Sequence, residues 1–178
     1  MYTKLKNVVK TRQSFWKYRH LLDFSVWSRY LESANQTHRA FYPAFIKREG
    51  ITSVFELGCA SGPNLKGISS ECDLDFFVGV DINRKAIQLA KNQDWSCPAY
   101  FCTELDVGSV ASTLQVHERV RFDLGIYDRV LYLFDTNQTI DHFELVAHML
   151  SIIVIDDFHA DALTSNGVYY SKNYEMIL

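Results

Sequence analysis

Two short stretches hold the residues best suited to ligand chemistry. The first is SVFELGCASGPNL, Ser53–Leu65, in which an apolar run carrying Glu56 leads into Gly58, Cys59, Ala60 and Gly62 before Pro63. Glycine serves where a turn needs positive φ or where a ligand must approach the backbone. Proline suits a first helical turn. A loop between the carboxyl end of a strand and the amino end of a helix is where open α/β sheets bind ligands. The second stretch is VGVDIN, in which a strand-like run ends at Asp81, 19 residues after Gly62. An acid at that place can accept both hydroxyls of a ribose. A nicotinamide dinucleotide fits less well. Its fingerprint needs glycine where Ala60 stands, and Gly62 comes too early. Glu56 would repel a pyrophosphate and suits a ligand with positive charge.

Further polar residues stand at the ends of later apolar runs. FDLGIYDRVLYLF contains Asp123 early and Asp128–Arg129 near its end. The last pair reads either as part of a substrate site or as a local ion pair or helix cap. IIVIDDFHAD contains Asp156, Asp157 and His159. Asp157 can cap a following helix, and Asp156 can be a solvated loop end. His159 reads as a general base for a hydroxyl, because histidine titrates near neutrality, or as a structural residue. His20, His38, His117, His142 and His148 stand in no constellation and receive no role. Cys59, Cys72, Cys97 and Cys102 form no CxxC pair, so zinc is not expected. A reduced, cytoplasmic protein is expected.

These residues need a scaffold. The chain has 178 residues, 48% hydrophobic and 22% charged, enough for one domain with a real core. The net charge of −3 excludes a wholly basic nucleic-acid coat. No apolar run approaches the roughly 20 residues of a membrane helix, and the start lacks the apolar stretch of a secretory signal. Before Asp23 there is no acid, but Lys4, Lys6, Lys10, Arg12, Lys17 and Arg19 are present. This basic arm reads as solvated, or as a contact for an anionic partner. From about Trp16 to Phe45 the pattern is aromatic and helical. His20, Phe24, Trp27 and Leu31 fall on one face, Pro43 kinks or opens a second helix, and Gly50 ends it. Residues 1–50 are thus expected to form an arm and a helical cap or lid, and residues 51–178 the main domain.

Within the main domain, strands are expected at Ser53–Leu57, Phe76–Asp81, Tyr100–Thr103, Phe122–Tyr127 and Ser151–Ile155. Each is a continuous apolar run, as for strands covered on both faces. Helices are expected near Asn64–Ser70, Arg84–Asn92, Val110–His117 and Gln138–Leu150. Strand–helix alternation implies an α/β fold with a doubly wound, mostly parallel sheet.

From about Ile51 to His159 the chain resembles the class I S-adenosylmethionine-dependent methyltransferases. Glu56, Gly58 and Gly62 match that family's acid-x-G-x-G-x-G motif, with Ala60 in place of the middle glycine. The resemblance implies a Rossmann-like sheet of strand order 3-2-1-4-5. It places the loop of Gly58, Cys59, Ala60 and Gly62 against the methionine part of S-adenosylmethionine, Asp81 on the ribose and Ile82 along the adenine. Asp106 and Val107 would flank the adenine amino group, with Glu104 the competing acid. FDLGIYDRVLYLF resembles the fourth-strand motif that faces the reactive methyl, which makes Asp128 a candidate catalytic residue beside the candidate base His159. Some members bind Mg²⁺ through an acid after the fourth strand and a pair after the fifth. Asp128, Asp156 and Asp157 are the corresponding candidates, although no metal is favoured. The family's further strands after the fifth are not evident, so the expectation is that the fifth strand is covered by Val168–Tyr170 or by a second copy, or that the chain is a fragment or a naturally truncated member. The expected activity is methyl transfer to a small oxygen or nitrogen acceptor, including sugar-like ones. The alternatives are a non-catalytic binding subunit and a nucleic-acid methyltransferase using the basic arm.

Overall fold

The computed structural model describes residues 12–21, 23, 25–105, 120–157, 164–165 and 170–171. Asp106, Val107, His159, Phe24, Val168, the predicted helix Val110–His117 and the lysines at 4, 6 and 10 lie outside these residues.

Five parallel strands make the main sheet: β1 (Ser53–Leu57), β2 (Phe76–Val80), β3 (Ala99–Cys102), β4 (Phe122–Asp128) and β5 (Leu150–Asp156). Their order is β3-β2-β1-β4-β5, as expected. β1 is central because it is buried on both faces. Val54 packs with Leu65, Ile68, Phe77 and Leu124 on one side. Its neighbour Phe55 points the other way, to Val78, Phe122, Tyr127 and Phe143. Successive side chains of a strand face opposite sides, so a run without polar alternation demands two covering layers. Each fully buried aliphatic or aromatic side chain contributes about 1.5–3 kcal/mol relative to exposure. The register sets Leu57 beside Val80 and Glu56 beside Ile126, so the carboxyl ends of β1, β2 and β4 open on one edge.

Helices follow the sequence signals with shifted ends. The described ones are α1 (Arg12–Lys17), α2 (Val26–Glu32), α3 (Phe41–Glu49), α4 (Pro63–Ser69), α5 (Arg84–Lys91) and α6 (Thr136–Val146). Pro43 lies in the first turn of α3, where its missing N–H costs nothing, and Gly50 ends that helix at φ +67°. α6 starts two residues before the expected Gln138. Asp135 accepts from the Gln138 N–H while the Gln138 side chain accepts from the Asp135 N–H, a reciprocal capping box. It also ends early, because Ala147–Met149 tightens into a 3-10 turn that delivers Leu150 to β5.

Two expectations are corrected. The face of His20, Phe24, Trp27 and Leu31 is not one helix. His20 sits in a 3-10 turn at Arg19–Leu21, and a new helix begins at Val26. Tyr170 does not cover β5 among the described residues. Tyr170–Ser171 pairs antiparallel with Thr164–Ser165 instead, and β5 has β4 as its strand neighbour. No described helix is long and apolar enough to cross a membrane.

Candidate functional site

The loop after β1 folds over the end of β2. The N–H groups of Gly58 and Cys59 both donate to the Val80 carbonyl, at 2.7 and 3.1 Å. Gly58 has φ +77°, and a β-carbon there would lie 2.7 Å from a methyl of Val130, so both backbone and space require glycine. Ala60 takes φ +48°, the left-handed backbone a glycine adopts easily. Its N–H donates to Asp81 Oδ2 at 3.0 Å, while Asp81 Oδ1 accepts from the Asn83 N–H at 2.7 Å. The loop and the acid, 21 residues apart, are therefore in direct contact. Burial pushes the Asp81 carboxyl up to about 6, against the pull of these two hydrogen bonds. Next to it Ile82 is 40% exposed on the cleft wall.

Under the loop lies a buried polar network. Glu56 is 2% exposed. Its Oε1 accepts from Asn64 Nδ2 at 2.7 Å, and its Oε2 has no partner among the described residues. Burial, followed by the nearby Asp128 charge, raises the Glu56 carboxyl to about 8, with Asn64 and Arg39 opposing. Asp128 Oδ2 accepts from Asn64 Nδ2 at 3.0 Å and from Arg39 Nη1 at 2.8 Å. Arg39 also donates to Asn64 Oδ1. Asp128 Oδ1 has no hydrogen bond among the described residues, and the exposed Arg129 guanidinium is 3.9 Å away. Arg129, like Ala60, has positive φ, +53°. Arg39 and Asn64 were not anticipated. Asn64 had a signal, a polar residue just inside a helix opened by Pro63 between apolar neighbours. Arg39 had none, because it sits in a polar stretch, NQTHRA, far from its partners.

The N-terminal helices are clamped across this edge. Asn83 caps α5 by accepting from the N–H groups of Lys85 and Ala86. Its Nδ2 donates to the carbonyls of Trp16 and Lys17, the open end of α1. Ser61 Oγ donates to the Trp27 carbonyl at 2.7 Å. Val26 and Trp27 pack with Ala60 and Ala86, and Trp16 and Tyr30 flank them. Between this cap and the strand ends lies a cavity of about 750 Å³, within the rough 300–1,000 Å³ range of small-molecule sites. Its walls include Trp16, Tyr30, Gly58, Asp81, Asp128 and Arg129. His38, which the sequence left without a role, also lines it.

Other expected residues are placed elsewhere. Asp128, Asp156 and Asp157 do not converge. Asp128 faces Arg39 and Asn64, Asp157 accepts from the Tyr132 N–H at 2.9 Å, and Asp156 is exposed. No group of three potential metal ligands occurs among the described residues. Asp157 holds the turn after β4 through its bond from the Tyr132 N–H; the segment it would cap as a helix after β5 lies outside the described residues. Asp123 is at the opposite end of β4, where it accepts from the backbone of Thr52 and Ser53. Burial alone would raise its carboxyl, but the hydrogen bonds from Thr52 and Ser53 outweigh it and hold it below the usual value. The Cys59 thiol is buried in the core, which pushes it well above the usual thiol range.

No family model and no curated protein matches the chain. Solved structures do. The plantazolicin methyltransferase BpumL in complex with SAH is 21% identical with a TM-score of 0.56, over 89% of this chain and 62% of that one. The plantazolicin methyltransferase BamL, in complex with a triazolic desmethylPZN analog and SAH, is 19% identical with a TM-score of 0.57, over 89% of this chain and 60% of that one. The magnesium protoporphyrin IX methyltransferase ChlM from Synechocystis PCC 6803 with bound SAM is 13% identical with a TM-score of 0.61, over 96% of this chain and 81% of that one. The chain spans about three fifths of the length of the two plantazolicin enzymes.

Proposed function

Because the chain has the fold of the S-adenosylmethionine-dependent methyltransferases, we propose that its cleft binds S-adenosylmethionine and that the methyl group passes to a small oxygen or nitrogen acceptor. The observation that carries this reading is the contact of Asp81 with the Gly58–Gly62 loop at the mouth of a cavity roomy enough for a nucleoside. The residues fit such a ligand. Asp81 keeps acceptor capacity for ribose hydroxyls beyond its two N–H bonds, because an ionised carboxylate offers about four lone-pair sites. Glu56 Oε2 and Asp128 Oδ1 are buried acceptors without partners among the described residues, which suits the ammonium and sulfonium charges of that ligand.

When bound, the sulfonium group supplies an already activated methyl with a neutral thioether as leaving group. The protein's part is then mainly alignment and exclusion of water. The cap of α1 and α2 sets Trp16, Trp27 and Tyr30 along the cleft, apolar surface of the kind that exclusion of water needs. Ile82 offers an apolar surface for the adenine. Asp106 and Val107 remain the proposed partners of the adenine amino group, and Asp128 with Arg129 the proposed acceptor contacts. His159 remains a proposed base. Ala60 does not weaken the reading, since it already holds the backbone of the missing glycine. A metal is not part of the proposal, because Asp128, Asp156 and Asp157 form no group of three potential ligands among the described residues.

Calorimetry with S-adenosylhomocysteine tests this. The wild type should bind, and Asp81→Ala should bind about 10- to 150-fold more weakly, from roughly 1.5–3 kcal/mol of lost hydrogen bonds to a charged group. No binding by the folded wild type, or equal binding by both, would remove the reading.

A further inference from the structure

Six buried side-chain polar atoms lack a hydrogen-bond partner among the described residues: Arg19 Nε, Trp27 Nε1, His38 Nε2, Arg39 Nε, Glu56 Oε2 and Asp128 Oδ1. All six belong to residues that line the same cleft. Such an atom is costly when nothing satisfies it, and folded proteins keep them rare. Their gathering around one cavity marks a surface made for a ligand.

Five of the six atoms are also sorted by wall, while His38 Nε2 donates or accepts according to its tautomer. Arg19, Trp27 and Arg39, from the N-terminal segment, can only donate; Glu56 and Asp128, from the sheet, offer carboxylate oxygens. Formal charge is sorted the same way. The N-terminal wall presents Lys17, Arg19, Arg29 and Arg39 to the cleft and no acid. The strand-end wall presents Glu56, Asp81, Glu104 and Asp128 against Arg129. Not every cation is free. Arg29 is tied to Asp23, and Arg39 to Asp128 and Asn64. Lys17 and Arg19 form no ion pair among the described residues. The Arg19 guanidinium lies 5.0 Å from the centre of the Phe15 ring, which supports it from one side.

We propose that the N-terminal wall of the cleft binds a carboxylate of the ligand, with Arg19 as the principal contact and Lys17 on the same wall. A guanidinium matches a carboxylate in a planar, two-pronged geometry. A doubly charged phosphate would meet the acids opposite; a single carboxylate, balanced by a positive or donor group facing Glu56 and Asp128, satisfies both walls. The inference rests on the reading above and adds the recognition of an acid group. That group belongs either to the methionine part of the cofactor or to the acceptor.

The test compares wild type, Arg19→Gln and Arg19→Lys by calorimetry, with thermal unfolding of each protein as the folding control. S-adenosylhomocysteine carries the amino-acid carboxylate; 5′-methylthioadenosine lacks it. Loss of about tenfold or more in S-adenosylhomocysteine affinity in Arg19→Gln, partly restored in Arg19→Lys, with 5′-methylthioadenosine affinity unchanged, assigns the wall to the cofactor carboxylate. Unchanged S-adenosylhomocysteine affinity, with benzoate binding to the loaded wild type but not to loaded Arg19→Gln, assigns it to the acceptor. The proposal falls if Arg19→Gln matches the wild type for S-adenosylhomocysteine and no difference in benzoate binding is seen. A wild type that binds neither nucleoside removes the cofactor reading itself, a result distinct from the others.

Discussion

Replacing Glu56 with glutamine should raise the stability of the free protein and lower its affinity for cofactor, and the first effect should grow with pH. Burial, with Asp128 nearby, raises the Glu56 carboxyl from 4.5 to about 8. The folded protein therefore holds this proton where the unfolded chain has released it. Below pH 4.5 both states are protonated and the group costs nothing. As pH rises through the interval up to about 8 the unfolded state gains and folding loses stability. At 1.36 kcal/mol for each tenfold change in proton affinity, the span from 4.5 to about 8 amounts to about 5 kcal/mol at alkaline pH and about 3 kcal/mol at pH 7. Glutamine has no proton to lose, keeps the shape, and leaves a carbonyl oxygen for Asn64 Nδ2. Urea unfolding at pH 5, 7 and 9 should show Glu56→Gln within about 1 kcal/mol of wild type at pH 5 and ahead by several kcal/mol at pH 9. Calorimetry at pH 7 should show S-adenosylhomocysteine bound roughly tenfold more weakly, because an amide, unlike the carboxyl of Glu56, cannot give up a proton and become the carboxylate that meets the ammonium group. A stability difference independent of pH between 5 and 9 would refute the buried, proton-holding role of Glu56.

Arg39→Ala should cost about 3–5 kcal/mol in urea unfolding, since it strands the Asp128 carboxylate in a buried place. The paired change Arg39→Met with Asp128→Leu should recover most of that stability, and a failure to recover would show that the ion pair is not the reason. Arg129→Gly should raise the thermal midpoint, because it relieves a non-glycine residue at φ +53°, worth up to about 1 kcal/mol. An unchanged or lower midpoint would mean that the Arg129 side chain holds its turn in place.

Most of the frame around the site was legible in the sequence because it depends on near neighbours. The run SVFEL has no polar alternation apart from Glu56, and such a run is stable only in the middle of a sheet. Gly58 follows because the chain must leave that strand with positive φ, and Asp81 because the next strand ends there. The strand ends came within one or two residues of the observed ones, and the misplaced start of α6 traces to a missed capping box at Asp135 and Gln138.

The parts decided by tertiary structure join distant positions. Arg39 meets Asp128 across 89 residues, and Asn83 meets the carbonyls of Trp16 and Lys17 across 67 and 66. His38 reaches the cleft only because a 3-10 turn at Thr37–Ala40 carries it there. Strand burial and helix caps are set by residues within a turn or two, so their pattern is written along the chain. A hydrogen bond between an arginine and an aspartate so far apart depends on the path of everything between them, and a polar residue in isolation carries no mark of which partner that path will bring.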